Sequence, residues 1–271
     1  MSIVDRWLLP DGVEDVLPLA ARQLETIRRR LLDLYATWGY DYVIPPMIEF
    51  LESLLTGTGR DLDLKTFKVV DLITGRTMGV RADITPQVAR IDAHSLNRAG
   101  VSRLCYAGTV VQAKSDNQLS SRTPLSVGTE LFGDNSSAAD IEIVSLMVES
   151  LKSLGFTAIH VDLGDVAIFR QLMDRLDLST DQIDVLFESV QRKAAAEIRQ
   201  HTRSFGLPEA YQKLLCALPG LAGDRSMLAD ARALFAGMPE IQSCIDNLET
   251  VADAIAARFT NLDIYFDLSE L

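Results

Sequence analysis

The densest chemistry in the sequence lies at Val80-Arg81-Ala82-Asp83-Ile84-Thr85-Pro86-Gln87. Thr85 followed by Pro86 marks a helix start, because the hydroxyl can cap free N–H groups and proline suits the first helical position. Asp83 therefore sits where a strand becomes a helix, at the mouth of a sheet. There its carboxylate can pair with a ligand ammonium, or it can serve only the helix N-terminus through its charge. A second candidate, Glu130, follows Gly128-Thr129 and alternates with apolar Val127 and Leu131, so it faces away from them. Periodicity leaves open whether that face is solvent or a pocket. The strand leading toward it, Gly108-Thr109-Val110-Val111-Gln112-Ala113-Lys114, adds an amide and a cation at its end.

The elements that must position these residues are legible from spacing. Leu24, Ile27, Leu31, Leu34 and Trp38 recur at three and four, which predicts one buried stripe on a helix from Pro18 to Trp38 capped by Gly39. Tyr42-Val43-Ile44-Pro45-Pro46 reads as a strand confined to an edge or an interface, since its prolines cannot donate to a ladder. Thr66 to Asp71 and Thr77 to Ala82 predict a hairpin around Thr74-Gly75, and a helix runs from Gln87 to Asn97. Arg103 to Gln112 and Pro124 to Phe132 form a second antiparallel pair joined by the polar loop Lys114 to Thr123. A helix to about Leu154 and a strand from Ala158 to Leu163 follow. From Val166 to Phe259 only helices are expected, broken at Gly206-Leu207-Pro208, Pro219-Gly220 and Gly237-Met238-Pro239. Leu262 to Leu268 alternates as a half-buried strand, and a strand at the raw end of the chain implies that the sequence is incomplete. Antiparallel runs interspersed with helices imply an α+β fold. The expected division is a core of 1–165 plus 261–271 with a helical subdomain inserted at 166–260.

Composition narrows the function. The 271 residues are 48% hydrophobic, enough for one large core and an appendage. Twenty-six basic against 38 acidic residues give a net charge of −12, which disfavours nucleic acid as a partner. Arg28-Arg29-Arg30 is read as a solvated helix face. With no apolar run of about 18 residues and acidic Asp5, Glu14 and Asp15 near the start, the expectation is a cytoplasmic protein without membrane attachment. Cys105, Cys216 and Cys244, like His94, His160 and His201, are scattered, which points to buried thiols and to neither a disulfide framework nor a metal site.

A family resemblance sharpens the candidates. Trp38 to Pro45 resembles motif 1 of the class II aminoacyl-tRNA synthetases, their dimer interface, which implies interface roles for Trp38, Tyr42, Ile44 and Pro45. Leu9 to Pro18 and Arg81 to Arg90 resemble segments of histidyl-tRNA synthetases, and Tyr106-Ala107-Gly108 and Gly128-Thr129-Glu130 match the strands of motif 2. The resemblance spans about Leu9 to Leu163, with a weaker echo at Tyr265 to Leu271, and implies a class II synthetase-like antiparallel sheet flanked by helices. It also implies that Asp83 holds a histidine ammonium, that Thr85 and Arg81 assist, and that Glu130 meets the imidazole.

The departures fall on the nucleotide side. Gln112 replaces the family's arginine, Lys114 its glutamate, and Thr123-Pro124-Leu125-Ser126 the glutamate, phenylalanine, histidine and glutamine of the returning strand. A neutral amide cannot supply the charge that stabilises an α-phosphate, a contact typically worth about 3 kcal/mol, so Gln112, Lys114 and Ser126 mark a degenerate adenylation site. With Ser53 to Gly59 and Val80 to His94, this resembles the regulatory subunits of ATP phosphoribosyltransferase, non-catalytic paralogues of histidyl-tRNA synthetase. That implies a short-form catalytic subunit as partner, a homodimer within a hetero-octamer, histidine as allosteric ligand in feedback inhibition, and no cofactor or metal. The competing readings are a divergent histidine-activating enzyme, which must bind ATP without the arginine, and a tRNA-binding module, which the charge opposes.

Overall fold

Pro18 opens helix α1 (Pro18–Thr37) without a side-chain cap, and Gly39, at φ +83°, turns the chain out of it as expected. The computed structural model describes residues 7–56, 60–114 and 120–270. The predicted stripe on α1 is covered only toward its C-terminus: Leu31 is buried and Leu34 and Trp38 are half-buried, whereas Leu24 and Ile27 are 38% and 37% exposed. A helical period fixes which residues share a face, but burial also needs a neighbour along the whole length. On one side Arg28 and Arg29 both bond Glu25, at 2.7 and 2.6 Å. The two guanidinium groups hold its carboxyl down to about 2, so the basic run is partly neutralised.

The expected edge strand shrinks to β1 (Asp41–Tyr42), because Pro45 and Pro46 end its pairing. Strand β2 (Ile48–Phe50) and the short helices α2 (Leu51–Leu54) and α3 (Arg60–Lys65) carry no sequence signal long enough to read. Of the segment Ser53 to Gly59, the last three residues lie outside the described ones. The hairpin β3 (Phe67–Val70) and β4 (Thr77–Val80) appears where predicted. Its turn is held by Asp71, which accepts from Ile73 N at 3.1 Å and Thr74 Oγ1 at 2.6 Å. Helix α4 (Thr85–Arg90) continues through one π-helical turn, 91–96, to Asn97 in the left-handed region. Strands β5 (Ser102–Thr109) and β6 (Leu125–Phe132) pair antiparallel, with Leu104 opposite Glu130 and Tyr106 opposite Gly128. The sheets are ordered β1-β5-β6 and β2-β4-β3.

These elements form one compact unit through Asn135, and Ser136–Leu271 form a second. The second contains α5 (Ser137–Ser153), β7 (Ile159–Leu163), α6 (Val166–Met173), α7 (Thr180–Gln191), α8 (Ala195–Ser204) and α9 (Glu209–Ala217). It continues with β8 (Ala222–Gly223), α10 (Met227–Leu234), α11 (Pro239–Arg258) and β9 (Leu262–Asp267). The two-residue β8 is a departure from the all-helical expectation; it pairs antiparallel with β9. Residues 166–260 lie between β7 and β9, which pair parallel, and parallel partners require such a crossover. The unit boundary nevertheless differs from the expected core of 1–165 plus 261–271. Ile159, Val161 and Leu163 of β7 are buried in one cluster with Phe169, Leu186, Phe235, Ile241 and Ile245 of the helices, so strands and helices here share a core.

The architecture is α+β, but not one antiparallel sheet: the described strands make three three-stranded sheets, and β1–β5 and β7–β9 are parallel. The three cysteines are free thiols; Cys105 is buried and the other two only partly so. Burial pushes the Cys105 thiol up to about 11. Among the described residues no helix is long and apolar enough to cross a membrane.

A methyl group added at Gly79, within β4, would stand 2.7 Å from Leu54 Cδ2 and 2.9 Å from Thr66 Cγ2. Gly79→Ala is therefore expected to cost about 1–3 kcal/mol through overpacking. The check is a lower denaturant midpoint at unchanged slope; a wild-type midpoint would refute the tight fit.

Candidate functional site

Arg81 builds the site from below. Its backbone N–H donates to Met47 O at 3.0 Å, and its carbonyl accepts from Val111 N at 2.9 Å. The buried guanidinium donates from Nε to Thr109 O and from Nη1 to Pro45 O, both at 2.9 Å. Gly108 makes room for it, since a Cβ there would lie 2.4 Å from Arg81 Nη2. One turn on, Gln87 Nε2 donates to Pro46 O and to Glu49 Oε1, both at 2.8 Å, and Arg90 forks onto the Glu49 carboxylate. The strand-to-helix turn 81–90 is thus fixed to the Pro45–Glu49 segment and to the end of β5.

On this support Asp83, and not Thr85, serves the N-terminus of α4. Thr85 does not cap α4. Asp83 Oδ1 instead accepts from Ile84 N at 2.6 Å and Thr85 N at 3.4 Å, which is the helix-supporting reading of this acid. The Thr85 hydroxyl is thereby released to donate to Glu130 Oε1 at 2.7 Å. Tyr106 Oη lies 3.2 Å from Thr85 Oγ1. Because the Thr85 proton goes to the carboxylate, Tyr106 is the donor in that contact.

Glu130 faces this cluster, not solvent. Burial pushes its carboxyl above the ordinary range, the Thr85 hydrogen bond opposes that rise, and the Asp83 charge adds to it. Burial likewise raises the Tyr106 phenol. Tyr106 is the residue that spacing did not single out as chemical. The available signal was its place opposite Gly128, where an added Cβ would lie 2.5 Å from the phenol oxygen.

Beside the cluster opens a cleft of about 590 Å³ lined by Asp83, Gln112, Ser126, Lys65 and apolar Leu62, Ala82, Pro86, Val110, Pro124 and Leu125. Asp83, Gln112 and Ser126 are therefore brought together on one cleft. Lys114 is exposed and is not among its lining residues. Arg81 is buried and engaged on carbonyls. Lys65 and Leu62 enter from α3, an element that spacing did not reveal. Of the interface candidates, Tyr42 and Ile44 are 43% and 76% exposed. Trp38 is half-buried, and Pro45 is buried, with its carbonyl on Arg81.

A family model described as histidyl-tRNA synthetase matches residues 12–271. The ATP phosphoribosyltransferase regulatory subunit of Saccharophagus degradans is 49% identical over all of this chain and 69% of its own length. The regulatory subunit of Pseudomonas paraeruginosa is 51% identical over all of this chain and 68% of its own. Among solved structures, an ATP phosphoribosyltransferase regulatory subunit/histidyl-tRNA synthetase from Bacillus halodurans C superposes with a TM-score of 0.84 at 26% identity. That match covers 100% of this chain and 70% of the other.

Burial holds the Glu130 proton more tightly in the folded chain than in the unfolded one. The stabilisation this contributes is complete below the ordinary value of 4.5 and is lost as pH rises through the elevated folded value. Glu130→Gln removes that loss. Its Tm relative to wild type is therefore expected to climb as pH rises above the ordinary carboxylate range, and a difference that stays flat with pH would contradict the half-buried placement.

Proposed function

The chain belongs to the histidyl-tRNA synthetase family and, within it, to the regulatory subunits of ATP phosphoribosyltransferase; from that premise we propose that it binds the short-form catalytic subunit, activates it, and carries feedback inhibition by histidine. The observation that carries the histidine reading is the hydrogen-bonded cluster of Thr85, Tyr106 and Glu130, with Asp83, two residues before Thr85, lining a cleft. A histidine ammonium is received by the Asp83 carboxylate, and an imidazole N–H donates to Glu130, offsetting the burial that raises its carboxyl. Arg81 contributes indirectly, by holding the turn. Gln112 and Ser126, which line the same cleft, present neutral groups where adenylation requires fixed positive charge, which supports a non-catalytic role over a histidine-activating enzyme.

For histidine to signal, it must bind two states of the assembly unequally, because occupancy alone shifts nothing. Self-association within a cytoplasmic hetero-octamer is part of the same reading. It is supported by exposed Tyr42 and Ile44 next to the exposed face of α1 at Leu24 and Ile27. Pro45 then serves inward through its carbonyl. Residues 166–260 are read as the insertion that separates two parallel strands of the second unit.

Two measurements test this. Co-expression with a short-form catalytic subunit is expected to yield one stable species by native mass analysis; independent migration under every ligand condition would overturn the assembly. Calorimetric titration of histidine into that complex is expected to show Asp83→Ala weakening affinity by about tenfold or more, the loss of one charge-assisted contact. Unchanged affinity would remove Asp83 from the site.

A further inference from the structure

Side chains alternate between the two faces of a strand, so Ser126, Gly128 and Glu130 of β6 share one face. Tyr106 of β5 stands directly opposite Gly128. Because Gly128 has no side chain, the Tyr106 ring can lie across it, and the phenol oxygen comes within 2.5 Å of the point a Gly128 Cβ would occupy. The phenol is thereby set between Ser126 on one side and Glu130 on the other.

Three hydrogen bonds connect these side chains. Ser126 bonds the Tyr106 phenol, Tyr106 Oη meets Thr85 Oγ1 at 3.2 Å, and Thr85 Oγ1 donates to Glu130 Oε1 at 2.7 Å. An ionised carboxylate can only accept, which commits the Thr85 proton to Glu130, the Tyr106 proton to Thr85 and the Ser126 proton to Tyr106. Thr85 and Glu130 do not line the cleft of about 590 Å³, but Ser126 does. The series therefore starts at the cleft wall and ends on a half-buried carboxyl.

We propose that Tyr106 is a positioning residue that couples the cleft to Glu130: Ser126, Tyr106 and Thr85 act as one hydroxyl relay, so that the hydrogen bonding of Ser126 sets the protonation of Glu130. Hydroxyls in series polarise one another, each donor strengthening the next. A ligand that takes the Ser126 proton withdraws that support and drives Glu130 toward its protonated form. The coupling is reciprocal, so an acceptor bound at Ser126 holds more tightly as pH falls through the Glu130 titration. Asp83, on the turn before α4, is the charged group that acts on Glu130, and it opposes a second negative charge. Tyr106 is the titratable group facing it from β5, and burial keeps the phenol neutral through that range. The coupling does not depend on which ligand the cleft receives, so its failure would leave the histidine reading standing.

The test follows the Glu130 carboxyl by carbon-13 NMR across pH in the full chain, its resonance identified by its absence from Glu130→Gln. Ser126→Ala, which removes the proton a ligand would take, is expected to raise the Glu130 midpoint by about 0.3, the effect of one cooperative bond. Tyr106→Phe is expected to raise it at least as much. Adding Ser126→Ala to Tyr106→Phe is then expected to change nothing further, since the relay is already cut. Thr85→Ser keeps the wild-type midpoint, whereas Thr85→Val raises it by about 1, the loss of a charge-assisted hydrogen bond. Shifts of Ser126→Ala and Tyr106→Phe that simply add would show two independent effects and overturn the relay. A Glu130 midpoint untouched by Ser126→Ala would overturn it as well, and that result decides alone if the phenylalanine variant fails to fold.

Discussion

The arrangement of the first unit depends on one buried guanidinium that bonds to carbonyl oxygens. Arg81 reaches Thr109 O and Pro45 O, while its own backbone joins Met47 and Val111. Two segments distant from it in sequence, Pro45 to Met47 and Thr109 to Val111, meet at one residue. Burial lowers the Arg81 pKa, the signature of a cation held by neutral dipoles, and it remains charged because an arginine cannot be deprotonated in practice. Breaking either carbonyl contact would strand a buried donor, and that asymmetry makes the arrangement rigid. Gln87 repeats the device one turn later on Pro46 O. The segment through Pro45-Pro46 and the turn carrying Asp83 are consequently two parts of one hydrogen-bonded body.

That rigidity is what lets Asp83, Thr85, Tyr106 and Glu130 crowd together. Two carboxyl groups near each other raise the energy of both being ionised, and Glu130 carries the added penalty of burial. The cluster is thus less stable than an apolar filling of the same space would be. A site that holds such groups in readiness stores part of the free energy that a complementary cation or N–H donor releases on binding.

Much of this was legible in the sequence, for physical reasons that can be named. Long periodic elements declare themselves: α1, α5, the β3–β4 hairpin and the β5–β6 pair follow from spacing, and Gly39, Gly206 and Gly237 adopt left-handed angles at breaks that spacing predicted. Asp83 and Glu130 were visible as candidates, but only tertiary contact decides which face a half-buried strand residue takes. The sequence could not tell that Thr85 would leave its cap to Asp83, because both residues can satisfy the same N–H groups. Nor could it reveal Lys65, which lies in a six-residue helix too short to show a period. The pairing of β7 with β9 was hidden for a different reason. Periodicity is local, whereas those strands are separated by all the helices from α6 to α11.

The chain from Tyr106 through Thr85 to Glu130 also has a direction. Each hydroxyl proton points the same way, and the series ends on an oxygen pair that can only accept while Glu130 is ionised. The cluster therefore acts as a polarity filter. On the proposed histidine reading, an imidazole enters with an N–H toward Glu130, which fixes its tautomer, and a thiazole or furan ring of similar size, presenting lone pairs alone, meets repulsion there. Selectivity of this kind resides in the orientation of protons and would survive changes in the shape of the surrounding wall.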